Sequence, residues 1–137
     1  TGLFVALVFE DDQYHERAGD LIRELSRGDH GRPLYTSDIV FVETAAVIHS
    51  RIKGSNKASR AWYKVRQIED LVRERLMEML YLEETSFREA FDLYGQHQGE
   101  LDFVDSANVA LMRSKGIRKI ASFDSNYDSF RDIERIR

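Results

Sequence analysis

Leu34-Tyr35-Thr36-Ser37-Asp38-Ile39-Val40-Phe41-Val42-Glu43-Thr44-Ala45-Ala46-Val47-Ile48 decides the fold. Pro33, the only proline, opens a short extended piece, Leu34-Tyr35-Thr36. Ser37 and Asp38 then offer side-chain oxygens to the unpaired amides of a helix start. A strongly apolar helix is predicted from about Ile39 to Ile52, and Gly54-Ser55-Asn56 breaks it. Strand, cap and helix within so few residues form the unit from which layered α/β folds are built.

Working outward, Leu3-Phe4-Val5-Ala6-Leu7-Val8-Phe9 fits either a buried strand or a buried helix, and periodicity alone does not choose. Asp11 or Asp12 can cap a helix through Tyr14, Ala18, Leu21, Ile22 and Leu25, ended by Gly28. Downstream, a long helix is predicted from about Lys57 to Met77. Its apolar stripe is Trp62, Val65, Ile68, Leu71, Val72 and Leu76, and at that spacing Trp62 is expected in the core. Leu80-Tyr81-Leu82 is a short strand candidate, and Glu84 to about Gln98 an amphipathic helix. Phe103 to Lys115 is helical and closes at Gly116. Ile117 to Phe123 has the pattern of a buried strand with Arg118 and Lys119 at its solvent end, and Ile133 to Ile136 that of a marginal edge strand. The alternation predicts an α/β layer fold with a mainly parallel sheet. No repeat, low-complexity tract or linker interrupts it, so residues 1–137 are expected to form one domain.

Bulk properties narrow the function. The chain has no cysteine, which excludes thiolate zinc sites, thiol nucleophiles and disulfides and is compatible with a reducing, cytoplasmic setting. No apolar run approaches the roughly 18–20 residues of a membrane span, so no membrane partner is expected. Glu10, Asp11 and Asp12 follow the apolar opening too closely for a signal peptide. A net charge of −4 argues against a generic polyanion binder. Yet no acidic residue lies between Glu43 and Glu69, an interval carrying Arg51, Lys53, Lys57, Arg60, Lys64 and Arg66 with Trp62 and Tyr63 among them. Such a stretch is either a solvated helix face or a local nucleic-acid contact beside an acidic site.

Three acids sit where solvent should not reach. Glu43 interrupts the most apolar helix, and a lone carboxylate there is costly unless paired, protonated or metal-bound. Asp105 lies in Phe103-Val104-Asp105-Ser106-Ala107-Asn108-Val109-Ala110-Leu111, and Asp124 follows Ile120-Ala121-Ser122-Phe123 at the carboxyl end of the best strand candidate. In open α/β sheets ligands collect at that end. Each has an ordinary alternative: Glu43 as the buried partner of an arginine, Asp105 as a helix N-cap, Asp124 as a turn or cap residue. Three acids on three core elements make a shared site the sharper reading. Hard oxygen donors without cysteine or clustered histidine suit Mg²⁺ or Mn²⁺ rather than zinc. His15, His30, His49 and His97 show no ligand spacing, and no phosphate-binding loop, dinucleotide fingerprint or nucleophile elbow is present.

The residues also resemble a known family. Thr1-Gly2-Leu3-Phe4-Val5-Ala6-Leu7, with Asp12, His15 and Ala18 beyond it, is similar to the start of PIN domains. Thr36-Ser37-Asp38-Ile39-Val40-Phe41-Val42-Glu43-Thr44 resembles their second acidic motif, Phe103-Val104-Asp105-Ser106-Ala107 the third, and Ser122-Phe123-Asp124-Ser125-Asn126-Tyr127 the fourth. The resemblance implies a three-layer α/β/α sandwich around a parallel sheet of four or five strands, and a helix rather than a strand from Leu3. It also implies an aspartate directly before Thr1, at the end of a first strand. The implied activity is metal-dependent hydrolysis of RNA phosphodiester bonds, leaving a 5′ phosphate and a 3′ hydroxyl, commonly by the VapC-type toxin of a toxin–antitoxin pair. Glu43, Asp105 and Asp124 match the metal-binding acids, Ser122 a supporting hydroxyl residue and Thr1 the hydroxyl residue after the first aspartate. An RNA substrate, an antitoxin that covers the site and a homodimer are the implied partners. Arg51, Lys53, Lys57 and Arg60 are the expected RNA approach surface. The competing functions are a metal-dependent phosphatase or phosphoacceptor domain and a non-catalytic interaction module of the same fold.

Overall fold

The computed structural model describes residues 1–27, 33–97 and 100–137. Along the chain run α1 (Gly2–Val8), α2 (His15–Arg27), β1 (Leu34–Ser37), α3 (Asp38–Arg51), α4 (Lys57–Arg73), β2 (Met77–Leu80), α5 (Glu84–Gln96), α6 (Phe103–Ser114), β3 (Lys119–Ala121), a 3-10 turn (Ser125–Ser129) and β4 (Glu134–Ile136). Gly28, His30, Gln98 and Gly99 lie outside the described residues.

Both strand pairings are parallel. Leu34 to Ser37 lies opposite Met77 to Leu80, and Lys119 to Ala121 opposite Glu134 to Ile136. Among the described residues the two pairs are separate hydrogen-bonded ladders.

Layering follows from the alternation of side chains along a strand. Ile120 packs into a core of Ala90 and Leu93 from α5, Ala107 and Ala110 from α6, and Tyr127. Its neighbour Ala121, with Ile136 of β4, faces Leu3 and Ala6 of α1 and Ala18 and Leu21 of α2. Helices therefore cover both faces of the β3–β4 pair, which makes the fold an α/β sandwich. A further core joins Phe4, Val5 and Val8 of α1 to Val40 and Ile48 of α3, Ala61 and Ile68 of α4 and Met77 of β2. The opening run, ambiguous by periodicity, is the helix α1, and its near-complete apolarity reflects contacts with both cores.

The helix starts carry their predicted chemistry. Ser37 Oγ accepts from the Val40 amide at 3.3 Å, and Asp38 Oδ1 accepts from the amides of Ile39 (2.8 Å) and Leu82 (3.1 Å). Asp12 Oδ1 accepts from the Tyr14 amide at 3.1 Å ahead of α2. At the end of α6, Gly116 is left-handed (φ 66°), and its amide and that of Ile117 close on Arg113 and Met112.

Other boundaries depart from expectation. α4 stops at Arg73, because Arg75 adopts φ 59° and the Arg75 and Leu76 amides bond back to Val72 and Leu71, both at 3.0 Å. That is the closing pattern glycine normally supplies, here built on arginine. The following strand consequently occupies Met77–Leu80 rather than Leu80 to Leu82, and β3 is confined to Lys119–Ala121. Trp62 is 60% exposed, not core. Val42 and Val47 also face solvent, so α3 is apolar beyond what the interior takes up.

Candidate active site

Each predicted acid is delivered by a different element. Glu43 sits in the second turn of α3, behind the Ser37 cap, half-buried, and takes the Thr1 hydroxyl hydrogen bond on Oε2. No arginine pairs with it among the described residues, so the buried ion-pair alternative does not describe it. Asp105 is not the cap of α6. Asp102 is, accepting from the Asp105 amide at 2.8 Å. Asp124 does cap: its Oδ1 accepts from the Asn126 amide at 2.9 Å, and its own amide donates to Ser122 Oγ at 3.0 Å. Ser122 thus fixes the backbone carrying Asp124, a supporting role.

Glu43 bonds the Thr1 hydroxyl, and Asp105 bonds Tyr127 in the 3-10 turn that Asp124 caps. Asp105 is held above the ordinary carboxylate range, first by burial and then by the negative charges of Asp102 and Asp124. Hydrogen bonds from Tyr127 and Asn126 pull it partly back. Among the described residues, however, no three of the Asp, Glu, His or Cys side chains form a ready-made metal cage.

Two residues of the site, Tyr127 and Asn108, were not singled out from sequence for any role. The Tyr127 hydroxyl donates to Asp105 Oδ1 at 2.5 Å and accepts from Asn108 Nδ2 at 3.3 Å. Asn108 Oδ1 in turn accepts from Ser37 Oγ at 3.0 Å. Ser37, Asn108 and Tyr127 therefore link the start of α3, α6 and the 3-10 turn to a single carboxylate. Burial, then the adjacent Asp105 charge, raises the Tyr127 hydroxyl pKa, so it remains a proton donor to Asp105. Asn108 offered a readable signal, as an amide in the same apolar run that drew attention to Asp105.

The basic stretch is divided by the fold. Arg51, an expected RNA contact, is engaged: its guanidinium bonds Asp12 at 2.6 Å and Asp11 at 3.2 Å and lies 4.3 Å from the Phe9 ring centre. Lys64 reaches the Val8 carbonyl and lies 4.6 Å from the Phe9 ring centre. Lys53 and Arg60 are exposed, joined by a bond from the Arg60 guanidinium to the Lys53 carbonyl at 3.2 Å, and Lys57 is half-exposed.

Parallel strands covered by helices, with acids delivered after β1 and β3 and from α6, define a class of α/β domain with an acidic site at strand ends. The chain belongs to the PIN domain family, whose model matches residues 1–135. The crystal structure of VapC20 from Mycobacterium tuberculosis, a toxin that cleaves the sarcin–ricin loop, is similar with a TM-score of 0.72 and 22% identity. The match covers 96% of this chain and 93% of that one. Among curated proteins no sequence matches. PIN domains are a nuclease family. No helix among the described residues is long and apolar enough to cross a membrane.

Proposed function

We propose that this protein is a cytoplasmic, divalent-metal-dependent endoribonuclease of the toxin type. The observation that carries the reading is geometric: Tyr127, in the turn that Asp124 caps, bonds Asp105 of α6, and Asn108 and Ser37 tie that turn to the start of α3, which carries Glu43. The donor set fits a hard cation: all donors are carboxylate oxygens, and Asp105 is short of compensating positive charge. Glu43 and Asp105 hold Mg²⁺ or Mn²⁺ in this reading, and Asp124 holds a second ion or positions the water. When bound, such an ion supplies Lewis acidity and lowers the pKa of water.

The chain's own residues do the rest. The Thr1 hydroxyl orients Glu43, Tyr127 orients Asp105, and Ser122 fixes the backbone at Asp124. Lys53, Lys57 and Arg60 draw the phosphate backbone toward a centre that would otherwise repel it. Water's oxygen bonds to phosphorus as the P–O3′ bond breaks, and the 3′ oxygen takes a proton, leaving a 5′ phosphate and a 3′ hydroxyl. A homodimer and an antitoxin belong to the same reading; exposed Val42 and Val47 on α3 and Phe87, Phe91 and Tyr94 on α5 offer apolar surface for such contacts.

The test is RNA cleavage by the natural full-length protein, with and without EDTA, beside Asp105→Asn. Cleavage abolished by either change supports the reading. Turnover of a phosphomonoester with RNA left intact would overturn it in favour of a phosphatase.

A further inference from the structure

The outer face of α4 is occupied by residues that neither core nor carboxylate site uses. At a helical repeat, Ser59, Arg60, Trp62, Tyr63 and Arg66 fall on one side, opposite the buried Ala61 and Ile68. Trp62 is 60% exposed and Tyr63 63%, so the two largest rings of the helix lie in water. The Arg66 guanidinium sits 5.3 Å from the Trp62 ring centre, with Asp70 at 3.9 Å its only carboxylate among the described residues. Ser59, Arg60, Tyr63 and Lys64 line a shallow depression of about 330 Å³ beside it. Lys53 adjoins through its carbonyl bond to Arg60.

We infer that this face is a stacking platform for unpaired nucleotides, with Trp62 and Tyr63 taking base faces and Lys53, Arg60 and Arg66 the intervening phosphates. Charge selects a polyanion, since no acid occurs between Glu43 and Glu69. The exposed rings select among polyanions: every unstacked base offers a π-face, whereas a duplex keeps its base faces inside the stack. An acidic polypeptide would satisfy the cations but give the rings no flat partner. The inference rests on the ribonuclease reading only for the polymer's being RNA.

Trp62 is the sole tryptophan, so its fluorescence reports this surface alone. Titration in EDTA, where no cleavage is expected, would use a short single-stranded oligoribonucleotide, the same strand in a blunt duplex, and polyglutamate. Saturable quenching by the single strand with much weaker binding of the duplex is expected. Followed by anisotropy of a labelled strand, Trp62→Ala and Tyr63→Ala should each weaken single-strand binding at least roughly fivefold, and Trp62→Phe should largely retain it. Both side chains are exposed, so unchanged melting curves would show that the fold is intact. Equal affinity for strand and duplex, or unaltered binding in both alanine variants, overturns the platform. Quenching by polyglutamate as strong as by RNA also overturns it and assigns the face to an acidic protein segment. Strand binding without cleavage on adding Mn²⁺ would sink the nuclease reading alone; cleavage without strand preference would sink the platform alone.

Discussion

Tyr127 holds Asp105 while Asn108 holds Tyr127, so one buried hydroxyl, beside Asn126, sets the carboxylate's direction. Tyr127→Phe removes a donor and leaves the ring's packing in place. A loss of roughly 1–2 kcal/mol in stability is expected from the two unmade bonds, with RNA cleavage falling more than RNA binding; equal loss of both would assign Tyr127 a purely structural part. Asp105→Asn acts differently. Burial and two neighbouring charges disfavour the ionised Asp105, so the neutral amide should leave the metal-free protein at least as stable as its parent in thermal melts. The same variant should lose the stabilisation that Mn²⁺ gives the parent. Destabilisation in EDTA would contradict the crowding of negative charge. Asp12 has the opposite shift: its hydrogen bond from Arg51 holds it below the ordinary carboxylate value. That stability is present above the unfolded pKa and is lost as pH falls through the depressed folded one. Asp12→Asn should therefore cost about 1 kcal/mol near neutrality and nothing once acid has protonated the parent's carboxyl. A cost that persists unchanged in denaturant melts at acid pH would refute the ion pair's role.

Arg75 shows what an element boundary can hide. Its φ of 59° closes α4 with the two reversed bonds to Val72 and Leu71, yet arginine carries none of the composition by which such an end is recognised. Arg75→Gly should relieve the left-handed backbone and raise stability by about 0.5–1 kcal/mol, read from the denaturant midpoint; a lower midpoint would show that the arginine contributes more through contacts than it costs in strain. Where the closing residue was glycine, at Gly116, the end of α6 was legible, as was the start of α3 at Ser37. The opening run was not, because α1 packs into two cores and shows no polar face by which a helix declares itself. Trp62 was misplaced for the converse reason: its position at the edge of an apolar stripe fits core spacing, but α4 turns it outward. The acids stood out in the sequence because a carboxylate in an apolar run is costly wherever the run goes. The bonds from Ser37 to Asn108 and from Asn108 to Tyr127 did not, since they join residues far apart in the chain.

Across the whole molecule the net charge of −4 and the carboxylates of the proposed site oppose RNA, while the proposed face of α4 attracts it. Affinity should then depend on few cations and respond steeply to salt. Taking Lys53, Lys57, Arg60 and Arg66 as one phosphate contact each, a single strand releases counterions with a logarithmic slope of roughly −3. A fourfold rise in salt should weaken binding by roughly 50-fold. Reversing Lys57 and Arg60 together leaves two such contacts and reduces that loss to roughly sevenfold, with weaker binding at low salt. The carboxylate site enters with the opposite sign. In EDTA its charge repels the strand, so Asp105→Asn should bind RNA at least as tightly as the parent while failing to cleave it. Salt dependence unchanged by the double reversal would place the RNA path elsewhere, and the contrast between α4 and the rest of the surface would then have no part in substrate capture.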